Sequence, residues 1–492
     1  MENKPSNLSR RHFLSTTALA ATAFTILPSK VISGMGHKAP SDKLNIAGIG
    51  VGGMGFNNLS NMDTENIVAL CDVDGGILAG QLGKYPGAKG FQDFRKMFDE
   101  LGKGIDAVDI ATPDHFHGIA AAHALRHGKH VYCQKPLVQT IHEARYLRDL
   151  ARKTGLVTQM GNQGSAADGL RRAVECVQAG IIGKVREVHV WTNRPVWPQG
   201  MNRPEGSDPV PGNLAWDIWL GPAPVRPFKS GVYHGFKWRG WQDFGTGALG
   251  DMACHTVNMP FRALQLDHPT EISSEVFGVM NKETYPIGSK IHFKFPARSI
   301  KGNKSSDSPV SLWWYDGGQV DATKPHGHDF SNKPPKELLA DIEAFRGEVP
   351  NSACLIIGEN GTIFSPDDYG TQFFLKLKGD EKYTGSAKHP EVEKIPQTIE
   401  RNQFKPDAGS KGAGDDIRHH MEWINAIKDN KPQNCYSRFE IAAQLTEIML
   451  LGCVAMQVGK KIEWDGKNMK AKNCPEAAPF IKRNNRAGWV MA

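Results

Sequence analysis

Between residues 43 and 165, short continuous apolar runs alternate with stretches whose apolar positions recur every three or four residues. The runs are LNIAGIG, NIVALCD, AVDIAT, KHVYC and LVTQM, and continuous runs of this kind suit strands buried on both faces. The segments between them have helical spacing, as in GIAAAHALRHG, which stops on Gly128. Further on the pattern changes. VREVHVWTN, EISSEVFGVM, SKIHFKF, VSLWWYDGG, ACLIIGENGTIFS and TQFFLKLKG read as strands with alternating faces, the mark of a sheet whose two sides differ. DIRHHMEWINAIKD and EIAAQLTEIMLLGCVAMQVGK read as helices, the second with Ile441, Leu445 and Ile448 along a core-facing stripe.

The first half therefore predicts a parallel, helix-wrapped sheet of the Rossmann type. Its opening run feeds a turn in which Gly50, Gly52 and Gly55 make GxGxxG. Such glycines allow a tight turn, close approach of backbone to a pyrophosphate, and close helix-on-strand packing, with the phosphates on a helix N-terminus. Asp72 closes the next run, 22 residues after Gly50. A carboxylate there accepts from both ribose hydroxyls and repels a 2′-phosphate, which favours NAD over NADP.

Two further stretches, ATPDHFH and HVYCQKP, lie just past the C-terminal ends of expected strands, where open parallel sheets place ligands. Thr112, Pro113, His115 and His117 are thus expected beside the nicotinamide half of the cofactor. Lys135, ahead of Pro136, is placed to donate a hydrogen bond to a substrate oxygen. Asp251 and His255, four apart after a glycine-rich entry, share one face of an expected helix. A neutral imidazole suits removal of a hydroxyl proton, and a neighbouring carboxylate can orient the group.

An aromatic-rich segment holds Trp191, Trp197, Trp216, Trp219, Tyr233, Trp238 and Trp241, interleaved with Asn193, Arg194, Arg226 and Arg239. Flat rings beside hydrogen-bonding groups suit a sugar; one or two are expected at ligand and the rest in packing.

Composition narrows the picture. The formal net charge of the 492 residues is +7, of which residues 1–36 contribute +3, with no basic block, so nucleic acid is not an expected partner. The eight scattered cysteines show no metal-knuckle or redox-pair spacing, and no metal site is expected. Ser9, Arg10, Arg11, Phe13 and Leu14 precede an apolar run from about Ala18 to Leu27. That run is shorter than the ~20 residues of a membrane-spanning helix. It reads as a twin-arginine export signal over residues 1–36, with the cleavage point at Ala18-Leu19-Ala20 or nearer Gly34, and implies a periplasmic or secreted protein.

Taken together, the glycine turn, Thr112-Pro113 with His115 and His117, Lys135-Pro136, and Asp251 with His255 resemble the glucose-fructose oxidoreductase and inositol dehydrogenase family, Gfo/Idh/MocA. The resemblance implies a Rossmann domain over residues 43–165 and a C-terminal α/β domain over 166–492, with a large, open, mostly antiparallel sheet often used for oligomer contacts, in a homodimer or tetramer. It implies a catalytic group of Lys135, Asp251 and His255. It also implies NAD-dependent oxidation of a sugar or cyclitol hydroxyl. A redox-neutral glycoside cleavage is the alternative, and a non-catalytic sugar-binding protein the outsider. The family usually has Glu-Lys-Pro; this chain has Gln134-Lys135-Pro136. Export of a folded protein further implies that the cofactor travels bound and is regenerated in place.

Overall fold

The computed structural model describes residues 42–401, 404 and 414–491. The export segment with Arg10 and Arg11 lies outside the described residues.

The first sheet has six strands, β1 (Asn45–Ile49), β2 (Asn66–Cys71), β3 (Lys89–Phe91), β4 (Ala107–Ile110), β5 (His130–Gln134) and β6 (Thr158–Gly161). They are all parallel, in the order β3-β2-β1-β4-β5-β6. The order reverses between β1 and β4, and at that point the C-terminal strand ends open a crevice for a ligand. β4 is buried throughout, as its apolar run requires. The loop after β5 is pinned by a capping box: Thr140 Oγ1 accepts from the Glu143 N–H at 3.3 Å, and Glu143 Oε2 accepts from the Thr140 N–H at 2.9 Å. This fixes the start of the helix Ile141–Thr154, and with it the stretch that carries Lys135.

The second sheet has ten strands: β7 (Val185–Trp191), β8 (Glu271–Phe277), β9 (Gly288–Phe295), β10 (Val310–Asp316), β11 (Ala353–Gly358), β12 (Gly361–Ser365), β13 (Phe374–Leu377), β14 (Thr384–Gly385), β15 (Ile462–Asp465) and β16 (Lys470–Ala471). Their order is β14-β13-β12-β11-β7-β10-β9-β8-β15-β16. β7 and β10 are parallel, and the other neighbours are antiparallel. The burial of β9 alternates in its second half, so one side of the sheet packs and the other is partly open.

The long helix Phe439–Val458 packs on Ile141–Thr154 and on the second sheet, and so joins the two modules. It is the one described helix long and apolar enough to cross a membrane, and 78% of that window is buried inside the fold. The helix Gly414–Lys428 returns to the first module, where Ile417, Met421 and Trp423 share a core with Ile46, Ala107 and Tyr132. All eight cysteines are buried and unpaired.

Candidate active site

The glycine turn follows β1 directly. Gly50 has φ +75°, and a Cβ there would stand 2.8 Å from the Ala111 carbonyl oxygen. A Cβ on Gly55 would collide with the Gly50 carbonyl. Gly50 therefore makes the turn, Gly55 seats the helix, and Gly52 borders the open space between them. No side chain caps the helix Met54–Asn61 at Gly53; the Gly55 N–H donates to the Gly52 carbonyl at 2.9 Å, and the N–H groups of Met54 and Phe56 are left for an anion. Asp72 ties the turn together: Oδ2 accepts from the Val51 N–H at 2.9 Å and Oδ1 from the Asp74 N–H at 3.0 Å. Burial pushes its carboxyl up, against these two bonds.

From this turn a cavity of about 400 Å³ runs along the strand ends, past Asp72, Thr112 and Pro113 to Gln134 and Lys135. Thr112 Oγ1 is buried with no partner in the protein. The uncapped helix, the ribose-side carboxylate and this orphaned hydroxyl fit a dinucleotide laid from Asp72 to Lys135.

One wall comes from the aromatic-rich segment. Trp216, Trp219, Tyr233, Trp238, Trp241 and Phe244 pack as one cluster, while Trp191 belongs to the core of the second sheet. Of the seven singled-out rings, Trp219 and Trp238 reach the cavity, beside Ile218, His234 and Phe236. The segment is bonded to the first module: the Ala215 N–H donates to the Val73 carbonyl at 2.9 Å and the Gly75 N–H to the Asn213 carbonyl at 2.8 Å. The rings thus form a strap over the cofactor crevice.

At the inner end of the cavity stands Lys135. Its Nζ donates to Asp251 Oδ1 at 2.9 Å and to the Asp251 carbonyl at 3.0 Å. Arg239, which sequence reasoning did not single out as a site residue, also borders the cavity and donates to Asp251 Oδ1 at 3.2 Å. Burial alone would raise the Asp251 carboxyl, but Lys135 and Arg239 overcome it and hold it at about 2. The helix Gly247–Thr256 is buried along its whole length, so Asp251 and His255 are not a solvated surface pair.

His255 lies one turn beyond Asp251, its ring 4.8 Å from that of Tyr369. Burial first, and the Lys135 charge second, lower its imidazole to about 3, so it is neutral. Its Nδ1 is buried without a partner, as are Asn162 Oδ1 and Gln163 Nε2. Asn162 Nδ2 donates to the carbonyl of Cys254, next to His255, at 3.2 Å. Asn162, and Tyr369 in the loop after β12, carried no sequence signal; only the fold brings them to His255.

Not all the expected cofactor residues face the cavity. Gly50, Gly52, Asp72, Thr112, Pro113 and Lys135 border it, whereas Gly55, His115 and His117 do not. His115 Nε2 and Nδ1 lie 2.9 and 3.2 Å from the Trp219 and Phe244 carbonyls. Both His117 nitrogens lie 2.8 Å from carbonyls, those of Pro136 and Thr112. Burial lowers the two imidazoles to about 3 and about 4, so each is neutral and donates from one nitrogen only: each ring fastens the start of the helix Asp114–Arg126 to one of its two facing carbonyls, packed among loops rather than turned to the cavity.

Comparison with known proteins agrees with this architecture. Residues 44–162 match the profile described as oxidoreductase family, NAD-binding Rossmann fold, and residues 176–294 match the same family's C-terminal alpha/beta domain. A levoglucosan dehydrogenase of Pseudarthrobacter phenanthrenivorans is 27% identical over 34% of this chain and 34% of its own length. A glycosyl hydrolase family 109 protein of Shewanella pealeana is 28% identical over 30% of this chain and 38% of its own. The matches thus span little more than a third of these curated relatives. Among solved structures, an inositol dehydrogenase homolog from Azotobacter vinelandii, complexed with NADH and myo-inositol, superposes with a TM-score of 0.55 at 16% identity, covering 86% of this chain and 98% of that one. At that identity the likeness is one of fold.

Proposed function

Since the chain belongs to the Gfo/Idh/MocA oxidoreductase family, with both of that family's modules matched, we propose that it oxidises a hydroxyl of a sugar, sugar derivative or cyclitol with a tightly held NAD. The observation that carries this reading is Lys135 at the far end of the cavity, ion-paired to Asp251, with a neutral His255 one turn further along the same buried helix; Asp251 and His255 stand behind Lys135 and do not themselves border the cavity. Bound NAD supplies the hydride acceptor. Lys135, held by its ion pair with Asp251 at 2.9 Å, donates to the substrate oxygen and steadies it as its proton leaves. His255 takes that proton, which an uncharged ring in a desolvated site can do. Asp251 and Arg239 fix the Lys135 ammonium.

The twin arginines at Arg10 and Arg11 and the strap support export of a folded, cofactor-loaded enzyme to the periplasm. A retained cofactor would be regenerated in place, by a second carbonyl substrate or by the same substrate after an intermediate step. Subunits would meet through the open side of the second sheet, where His292 and Trp313 stack at 3.8 Å. The test is to denature purified protein, identify the released nucleotide, and assay a panel of sugars and cyclitols. NAD near one per chain with a keto product supports the reading, and a protein that purifies empty and binds NAD only at millimolar concentration overturns it.

A second reading, transient oxidation followed by elimination of a glycosidic group, water addition and re-reduction, is favoured by the similarity to a glycosyl hydrolase family 109 protein and by its redox neutrality. It demands exchange of a neighbouring carbon-bound hydrogen with solvent. Cleavage of an aryl glycoside in deuterated water with deuterium at C2 and no net NADH would establish it in place of the first.

A further inference from the structure

Gln134 stands where the family pattern usually has a glutamate, and the charge lost there reappears two groups away. Its Nε2 donates to Asn58 Oδ1 at 3.2 Å, and Asn58 Nδ2 donates to Asp109 Oδ1 at 2.9 Å. Asn58 and Asp109 are completely buried and Gln134 nearly so. The three side chains form a short file between the helix Met54–Asn61 and the strands β4 and β5.

An amide can present either its oxygen or its nitrogen, and what fixes the choice is a neighbour of settled polarity. Asp109 is that neighbour. Its Oδ1 accepts from Asn58 Nδ2 at 2.9 Å, the only side-chain bond that Asp109 makes among the described residues, and a carboxylate oxygen has no hydrogen of its own to offer the amide. Asn58 must then turn its NH₂ to Asp109 and its oxygen to Gln134, and Gln134 must turn its NH₂ to Asn58. The Gln134 carbonyl oxygen is left facing elsewhere, with no hydrogen-bond donor among the described residues.

Gly161 pairs with Gln134 across β5 and β6, and a Cβ there would stand 2.7 Å from the Gln134 amide carbon and nitrogen. The amide therefore lies flat over the Gly161 backbone. Gln134 borders the cavity together with Lys135 and Thr112, at the end opposite Asp72.

We infer that Gln134 Oε1 accepts a hydrogen bond from the carboxamide NH₂ of the bound nicotinamide, and that Asp109, acting through Asn58, is the positioning residue that keeps this oxygen turned toward the cavity. The inference rests on the NAD reading of the cavity. Asp109 does not border the cavity itself.

The test uses a dinucleotide whose carboxamide is replaced by an acetyl group, 3-acetylpyridine adenine dinucleotide, which keeps the carbonyl and lacks the NH₂. Folded protein is incubated with equal excesses of this analogue and NAD until the bound ratio is constant. It is then denatured and the released nucleotides are quantified. The unmodified chain should hold NAD over the analogue by about tenfold, the scale of one hydrogen bond at a desolvated site. Gln134→Met should bring the ratio to about one. Asp109→Val frees Asn58 to turn and should give an intermediate ratio. Adding Gln134→Glu to Asp109→Val should restore the preference, because both carboxylate oxygens accept and orientation no longer matters; a merely structural role for Asp109 would give no such rescue. An unmodified protein that holds both nucleotides equally, or prefers the analogue, overturns the inference and leaves the cofactor reading intact. A protein that takes up neither overturns both.

Discussion

At the Asp72 end of the cavity both carboxylate oxygens already have backbone partners, whereas around His255 two buried polar atoms, His255 Nδ1 and Asn162 Oδ1, have none. A buried polar group without a partner costs about 1–3 kcal/mol. The first region keeps its shape from bonds within the chain; the second carries a penalty that no bond among the described residues relieves. The cofactor end is thus built for holding and the catalytic end for discrimination, and the same contrast separates the histidines. His115 and His117 have both ring nitrogens against carbonyls, while His255 keeps Nδ1 unbonded.

The sharpest way to break this division is Lys135→Ala. Turnover should fall by about 10² or more, the scale of a lost positioned acid, while nucleotide content stays unchanged, since the residue acts at the chemical end. Loss of nucleotide along with activity would erase the distinction.

His255→Ala should cost about 10² on the same grounds, and the pH dependence adds a signature. The folded ring is depressed to about 3, so its basic form persists through mild acid and kcat/KM should show no midpoint near the ordinary histidine value of about 6.5. The unfolded chain does take up that proton below about 6.5, so it binds more protons than the folded chain and stability falls as the pH drops from there toward 3. Activity should therefore fail in acid by melting rather than by titration of the base. A reversible kinetic midpoint near 6.5, at a pH where the melting temperature is unchanged, would contradict the assignment.

Effects at the holding end should be smaller. Trp219→Ala removes a ring from the strap and should speed exchange of the resident nucleotide about tenfold, an effect of ~1.4 kcal/mol, with turnover moving less; the readout is uptake of labelled NAD. Asp72→Ala should change least. It should relax selection against NADP by about fivefold, measured by competition between the two dinucleotides, with little effect on the chemical step.

Much of the frame was legible because it is written locally. The continuous apolar runs predicted five of the six parallel strands, and β3, the three residues Lys-Gly-Phe, was too short and too glycine-rich to register. ACLIIGENGTIFS read as one strand but folds as the β11–β12 hairpin, which turns at Glu359-Asn360 ahead of Gly361; the Asn-Gly pair was the available signal. Glycine spacing and the four-residue step from Asp251 to His255 could be read because a turn and a helix set them. What His115 and His117 face could not, since it depends on carbonyls brought from Trp219, Phe244 and Pro136. Arg239 was noted among the aromatic residues but not as a partner of Asp251, because 12 residues of loop and helix entry separate them.

The strap has a kinetic consequence. Its two backbone bonds, Ala215 N–H to Val73 and Gly75 N–H to Asn213, join the cavity wall to the strand end that carries Asp72. An excursion that lifts the strap from this strand end breaks both, so nucleotide escape by that route is a local unfolding event. The hydrogen-exchange rates of the Ala215 and Gly75 amides then set the ceiling on how fast the dinucleotide can depart.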